Sequence, residues 1–119
     1  MPSHPATNNN KTKQFDDLLL TAIDNALSSL GESVKKSIYY HLEEKFCLKR
    51  SQIPNKLNKF QEAIEQIFGS GARFLEILIM KNLYLKTGAS INMDSSKVCF
   101  VDYVNEMKHS YIDDSANSV

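Results

Sequence analysis

Cysteine is scarce in this chain, and its two cysteines, Cys47 and Cys99, do not form a CxxC pair. Two such residues are too few for a metal site built of cysteine. The N-terminal stretch MPSHPATNNNKTK also lacks the apolar segment of a secretory signal peptide. We therefore expect both cysteines to be reduced side chains in or near the core of a cytoplasmic protein, rather than a disulfide.

An excess of charge and a long apolar run are missing too. The 14 Lys and Arg residues balance the 14 Asp and Glu residues, so the net charge indicates neither a nucleic acid nor an anionic membrane as partner. The longest apolar run, residues 74–80, is interrupted by Glu76 and is much shorter than the roughly 20 residues that a membrane helix needs. The sequence therefore predicts no membrane span.

What the chain does contain fits one small globular domain. Its 119 residues are 42% hydrophobic and 24% charged, both ordinary values for such a domain. Residues 1–13 and 113–119 offer nothing to bury. We therefore predict disordered tails there and a helical domain over residues 14–112.

Apolar residues recur at the i, i+3, i+4, i+7 spacing of α-helices, and no strand pattern competes. The pattern predicts five helices, at about residues 15–30, 32–46, 54–68, 72–87 and 97–111. Gly31, Gly69 and Gly88 follow the first, third and fourth helices, and Pro54 fits the first turn of the third. We therefore predict an all-α, single-domain bundle of about five helices.

The fourth helix carries apolar residues on two sides. One broad arc contains Phe74, Leu75, Leu78, Ile79, Leu83 and Leu85. A narrower stripe on the far side contains Ile77, Met80 and Tyr84. We favour the interpretation that the fifth helix covers this stripe, and we keep the stripe as a candidate surface for a homodimer.

Two features near the start of the fourth helix resemble parts of functional sites. The segment Gly69-Ser70-Gly71 follows a helix and lacks the GxGxxG and GxxxxGK[ST] spacings of phosphate loops, so we predict a bend between helices. Glu76 lies among leucine and isoleucine residues, where an unpaired carboxylate would be costly. We expect it either at the edge of the core, paired with Arg73, or half-buried and hydrogen-bonded across the bundle.

Catalytic and metal-binding motifs are not found in the sequence. There is no GxSxG, and neither cysteine has a nearby histidine in a motif. His41 and Glu44 are three residues apart, but no second helix carries a matching motif. We therefore predict that the protein is not an enzyme and uses no cofactor or metal ion.

Basic residues cluster around the junction of the second and third helices. Residues 32–60 contain seven basic and three acidic side chains, whereas residues 89–119 contain two basic and five acidic ones. The basic patch consists of Lys45, Lys49, Arg50, Lys56 and Lys59. We favour an ordinary solvated surface, and the other interpretation is a docking site for an acidic partner or a nucleic-acid backbone.

Two stretches, AIDNALSSLGESVKKSIYYHLEEKF and QIPNKLNKFQEAIEQIFGSGARFLEILIMKNLYLK, resemble an archaeal family called the Nitrosopumilus output domain. The matching residues are Ala22, Ile23, Leu27, Leu30, Gly31, Ile38, His41, Leu42, Ile53, Pro54, Phe60, Ile67, Phe68, Gly69, Gly71, Ala72, Leu75 and Glu76. The resemblance covers about residues 15–86, and the HLE and IFG-x-GA segments are its most specific features. The family occurs alone and attached to signalling modules. The resemblance implies a role downstream of a sensor, and it implies no catalytic residue.

These observations favour a non-enzymatic regulatory or adaptor module that binds a protein partner, including a second copy of itself, in archaeal signal transduction. The alternative is a small DNA-associated regulator that uses the basic patch from Lys45 to Lys59. A polar pocket around Glu76 or His41 would instead favour an enzyme.

Overall fold

The computed structural model describes residues 4–88 and 99–117, with side chains described at 10–88 and 99–113. Five α-helices follow one another in the chain: α1 (His4–Ser28), α2 (Glu32–Phe46), α3 (Leu57–Phe68), α4 (Ala72–Thr87) and α5 (Phe100–Asn117). Short 3₁₀ segments at Arg50–Asn55 and Gly69–Gly71 precede α3 and α4. No strand occurs within the described residues, so the predicted all-α bundle of five helices is confirmed.

The helix bounds agree with the prediction at the ends of α3 and α4, but α1 ends at Ser28, before the predicted end at Leu30, and Gly31 instead precedes α2. α4 ends at Thr87, where Gly88 adopts a left-handed φ of 64° and its N–H bonds to the carbonyl of Tyr84. The outer ends of α1 and α5 differ from the prediction, because both helices continue beyond their buried turns. Residues 4–13 and 113–117, which we assigned to tails, are helical, and residues 1–3 and 118–119 lie outside the described part. Once a helix is nucleated, each further turn needs only its own backbone hydrogen bonds.

The connection between α2 and α3 is more structured than the sequence indicates. Pro54 lies inside the 3₁₀ segment Arg50–Asn55, and α3 begins three residues later, at Leu57. The buried side chains of Leu48 and Ile53 hold this connection against the core. Helix α3 ends at Phe68 and is followed by Gly69, whose φ of 58° and ψ of −130° suit glycine. The Gly69–Gly71 segment joins α3 to α4, as the predicted bend required.

The core is one continuous cluster centred on α1 and α4, which make the most extensive contact between helices. The large side chains with less than 2% exposure include Phe15, Leu19, Ile23, Leu27, Leu42, Phe60, Ile64, Ile79 and Phe100. The rings of Phe60 and Phe100 pack with centroids 6.0 Å apart, which joins α3 to α5. Burial of each large apolar side chain contributes about 1.5–3 kcal/mol, so this cluster is the main source of stability.

The cysteines are correctly predicted to be free, but their predicted location is wrong. Cys47 and Cys99 are both exposed. Cys47 is the residue that ends α2, with a left-handed φ of 51° and its N–H bonded to the carbonyl of Leu42. Its side chain therefore points away from the core, which Leu48 enters instead. No helix in the described part of the chain is long and apolar enough to cross a bilayer.

Candidate interaction surfaces

One face of α4 is apolar and exposed. Phe74 is 64% exposed and Leu85 is 78% exposed, and the half-buried Leu78 lies between them. Together with the exposed Lys81, these residues are separated by four, three and four positions, so they form a row along the helix. We call Phe74, Leu78, Lys81 and Leu85 the outer row of α4. At a rise of 1.5 Å per residue, this row is about 17 Å long.

The outer row is exposed because α1 packs against the opposite side of α4. Leu75, Ile79 and Leu83 lie on that side, and each is at most 2% exposed. Phe74 and Leu85 belong to the broad apolar arc identified in the sequence, but they are exposed, whereas the other members of that arc are buried or half-buried. Phe74 and Leu85 lie on the side of α4 that is turned away from this contact, and both remain in solvent.

The predicted self-association stripe is not a surface. Met80 is fully buried and belongs to the same core cluster as Phe100 and Met107 of α5. Ile77 is half-buried against this cluster, and Tyr84 remains 39% exposed. Met80 therefore cannot contact a partner in the folded chain, and only Tyr84 and the outer edge of Ile77 stay available next to the outer row.

The charges on the exposed part of α4 all have one sign. Its basic residues are Arg73, Lys81 and Lys86, and its only acid is Glu76, which is 3% exposed on the core side. The Arg73 Nη1 atom lies 3.5 Å from Glu76 Oε1. Of these cations only Lys81 lies in the exposed outer row, because Arg73 is paired with Glu76 and both Arg73 and Lys86 are half-buried.

Glu76 combines two of the expected environments. It is paired with Arg73, as predicted, but it is buried rather than at the edge of the core. Its Oε2 atom is buried and accepts no hydrogen bond within the described residues. Burial raises the pKa of Glu76, and the carboxylate of Glu65 on α3 adds to this shift, which Arg73 only partly opposes.

A polar cluster missed by the sequence analysis joins α1, α2 and the 3₁₀ segment before α3. The Tyr39 hydroxyl donates a hydrogen bond to Asp24 Oδ1. The Arg50 guanidinium donates from Nε to Asp24 Oδ1 at 3.1 Å and from Nη2 to Oδ2 at 2.6 Å. Burial opposes the ionisation of Asp24, but the hydrogen bonds from Arg50 and Tyr39 outweigh it, so the pKa of Asp24 lies below 3.8. The same burial, with the Asp24 carboxylate, raises the pKa of Tyr39.

This cluster changes the predicted basic patch. Lys45, Lys49, Lys56 and Lys59 are exposed around the junction of α2 and α3. Arg50 is different, because its guanidinium is already bound to Asp24 in a geometry that satisfies two of its N–H groups. The patch available to an external anion therefore consists of lysines, and Arg50 serves the fold.

A shallow cleft between α2 and α3 contains His41. It has a volume of about 290 Å³ and is lined by His41, Lys45, Phe46, Gln66 and Ile67. This volume is at the lower limit for a small-molecule site, and the lining places no carboxylate or thiol beside His41. Within the described residues, no group of three His, Cys, Asp or Glu side chains is placed to hold a metal ion.

Comparison of the chain with protein-family models, with curated proteins and with solved structures found no match. The resemblance to the Nitrosopumilus output domain therefore remains a prediction from the quoted residues. The structure identifies two candidate interaction surfaces, the outer row of α4 and the lysines at the junction of α2 and α3.

Proposed function

We propose that this chain is a non-enzymatic regulatory or adaptor module that binds a protein partner through the outer row of α4. The observation that carries the proposal is the exposure of two large apolar side chains, Phe74 at 64% and Leu85 at 78%, on one face of one helix. Burying each of them against a partner would contribute about 1.5–3 kcal/mol to binding. The core of the bundle does not use them, so their apolar character is explained by a contact outside it.

The shifted ionisable groups support a binding role rather than a catalytic one. Perturbed pKa values often mark active sites, but those of Asp24 and Glu76 have structural causes in this protein. Asp24 links α1 to Tyr39 and Arg50, and Glu76 lies inside the core beside Arg73. Neither carboxylate lines the cleft that contains His41.

The signalling context of this module rests on the family resemblance. The Nitrosopumilus output domains occur alone and attached to signalling modules, so the proposed place of action is the archaeal cytoplasm, downstream of a sensor. The partner would then be a component that receives the signal.

A photo-crosslinking experiment tests the proposed surface. A photo-reactive amino acid replaces Leu85 in one variant and Tyr40 in a second, and both variants are expressed in the source cells and irradiated. Tyr40 is a matched control because it is 64% exposed on α2, away from the outer row. We expect covalent adducts with a protein from position 85 and none from position 40. If position 85 forms no adduct, or if both positions form the same adducts, the proposed surface is wrong.

The alternative function is binding of DNA by the lysines at the junction of α2 and α3. It is favoured by one observation, the exposure of all four lysines in the patch. A mixed-sequence duplex is titrated with the protein at low and high salt. We expect binding that weakens as salt is added, because each lysine that contacts a phosphate releases counterions from the DNA. The double substitution Lys49→Glu with Lys59→Glu should lower the affinity, because it removes two such contacts. Arg50 is left intact, since its reversal would break the contact with Asp24.

The control for the DNA experiment reverses two exposed lysines elsewhere, Lys13 and Lys81. It makes the same change in net charge as the Lys49→Glu and Lys59→Glu pair. Equal affinity of the two double variants would exclude a specific role for the junction patch.

A further inference from the structure

We infer that the cleft between α2 and α3 is a binding site for a small carboxylate that carries an apolar group. The inference is independent of the outer row of α4, and it adds a small-molecule ligand to the proposed binding of a protein. It follows from the side chains that line the cleft, from the contacts that those side chains already make and from the space between them.

Two of the side chains that line the cleft are apolar. Phe46, the last residue of α2, and Ile67, in the last turn of α3, are half-buried and pack against the core. The parts of them that remain accessible line the cleft. Its volume of about 290 Å³ corresponds to roughly ten water-sized groups, which is the size of one aromatic ring with a short polar substituent.

The other three lining side chains supply hydrogen-bond donors. His41 and Lys45 are four residues apart on one face of α2, and Gln66 lies on α3. No hydrogen bond or ion pair engages any of the three within the part of the chain that the structure describes. The ring of His41 contacts the ring of Tyr40 edge-on, which leaves its nitrogen atoms unused. The cleft therefore combines an apolar surface with donors that have no acceptor.

The charges in the lining favour an anion as ligand. Lys45 supplies a full positive charge, and a carboxylate has two oxygens that accept hydrogen bonds from it and from a second donor. Glu44 and Glu62 lie about one turn from His41 and Gln66, but both are exposed and neither lines the cleft. The carbonyl end of α2 carries only about half a negative charge, which is less than the charge of Lys45. An amine in the same place would meet a like charge.

The lining also indicates that a bound carboxylate is held rather than converted. It contains no carboxylate or thiol that could attack the ligand. A molecule in the cleft contacts α2 on one side and α3 on the other, so it adds a link between these two helices. Because such a ligand binds the folded chain and not the unfolded one, it should also raise the midpoint of thermal unfolding.

Three small probes test the inference by NMR spectroscopy of the isotope-labelled full chain. Phenylacetate carries a ring and a carboxylate, phenethylamine carries the ring with an amine, and acetate lacks the ring. We expect phenylacetate to shift the signals of His41, Lys45 and Gln66 in a saturable way, with a dissociation constant of about 1 mM. Phenethylamine and acetate should bind about tenfold more weakly, because each lacks one of the two kinds of contact.

A pair of variants locates the binding. Lys45→Met keeps the length of the side chain and removes its charge, and it is expected to weaken phenylacetate about tenfold, because a hydrogen bond from a charged group is lost. The matched control is Lys59→Met, which removes the same charge from an exposed position of α3 outside the lining and should leave the affinity unchanged. Both lysines are exposed, and circular dichroism checks that each variant remains helical.

Several outcomes would overturn the inference. These are the absence of a saturable shift with phenylacetate, equal binding of phenethylamine or acetate, an equal loss of affinity in Lys59→Met and Lys45→Met, and saturable shifts confined to residues away from the cleft. The crosslinking experiment is separate from all of them, because position 85 lies on α4 and does not line the cleft. Failure of the carboxylate site would therefore leave the proposed protein-binding role intact.

Discussion

The carboxyl group of Glu76 is 3% exposed, lies 3.5 Å from Arg73 through one oxygen, and has a second oxygen with no hydrogen bond within the described residues. A buried charge with incomplete hydrogen bonding destabilises the folded state. We therefore expect Glu76→Gln, which keeps the shape and removes the charge, to raise the free energy of unfolding by about 1–2 kcal/mol at pH 7. Urea denaturation measures this difference.

The gain from Glu76→Gln should depend on pH in a defined direction. The pKa of Glu76 is raised above 4.5 in the folded state, so the folded protein holds a proton that the unfolded chain has already released. The contribution of Glu76 to stability therefore falls as the pH rises from 4.5 through the raised pKa. Wild type and variant should converge well below pH 4.5, where the carboxyl is neutral in both states. The control is Glu62→Gln, at an exposed position on α3. A gain in the free energy of unfolding of similar size there would contradict the explanation from the buried charge of Glu76.

Cys47 is a second residue in an unfavourable state, because its backbone adopts a conformation that suits glycine. Its φ of 51° is left-handed, which costs a residue with a side chain about 1–2 kcal/mol, and glycine adopts it freely. We expect Cys47→Gly to raise the free energy of unfolding by about 0.5–1 kcal/mol, after the extra chain entropy of glycine is subtracted. The exposed thiol makes no core contact that would be lost. Cys47→Ala keeps the Cβ atom and should give no gain. If alanine stabilises the protein as much as glycine does, the backbone argument is wrong.

At the scale of elements, Asp24 joins α1 to α2 and to the 3₁₀ segment before α3. Because Asp24 and Arg50 are both partly exposed, we expect Asp24→Asn to lower the free energy of unfolding by only about 1 kcal/mol at pH 7. The pKa of Asp24 lies below 3.8 when folded, so its contribution is complete above pH 3.8 and is lost as the pH falls through the lowered value. Urea titrations of wild type and Asp24→Asn, at pH 7 and at a pH below the lowered pKa of Asp24, measure this loss. Asp17→Asn, at an exposed position of α1, should have no effect at either pH, and a loss that persists in acid would contradict the role of the charge.

The sequence predicts the elements well because the signals that define them are local. The apolar spacing of α3 lies within that helix, the glycines after α3 and α4 directly follow the helices that they end, and α4 has its predicted bounds. The outer row was not predicted, because α4 carries apolar residues on two sides and its packing against α1, α3 and α5 decides which of them are exposed. The link between Asp24 and Arg50 was missed for a related reason, since its two residues are 26 positions apart and each is ordinary on its own helix.

At the scale of the whole molecule, the first and last helices close the same core. The rings of Phe15 and Tyr111 lie with centroids 5.8 Å apart, and Tyr111 donates a hydrogen bond to Gln14 at 3.1 Å. Lys108 lies 3.5 Å from Asp16, which adds an ion pair between the same helices. Since α5 also packs on α3 and α4, we expect it to unfold together with the rest of the bundle.

Substitution of Met107, which is fully buried on α5, tests this cooperativity. We expect Met107→Ala to lower the free energy of unfolding by about 2–4 kcal/mol, because it leaves a cavity that the surrounding helices fill only in part. The chain contains no tryptophan, so fluorescence reports the surroundings of its five tyrosines, which lie on α2, α4 and α5, while circular dichroism reports all helices. Both signals should shift to lower urea by the same amount in one transition. His109→Ala, at an exposed position of α5, should shift neither. A fluorescence change that precedes the loss of helix would contradict unfolding of the bundle in one cooperative step.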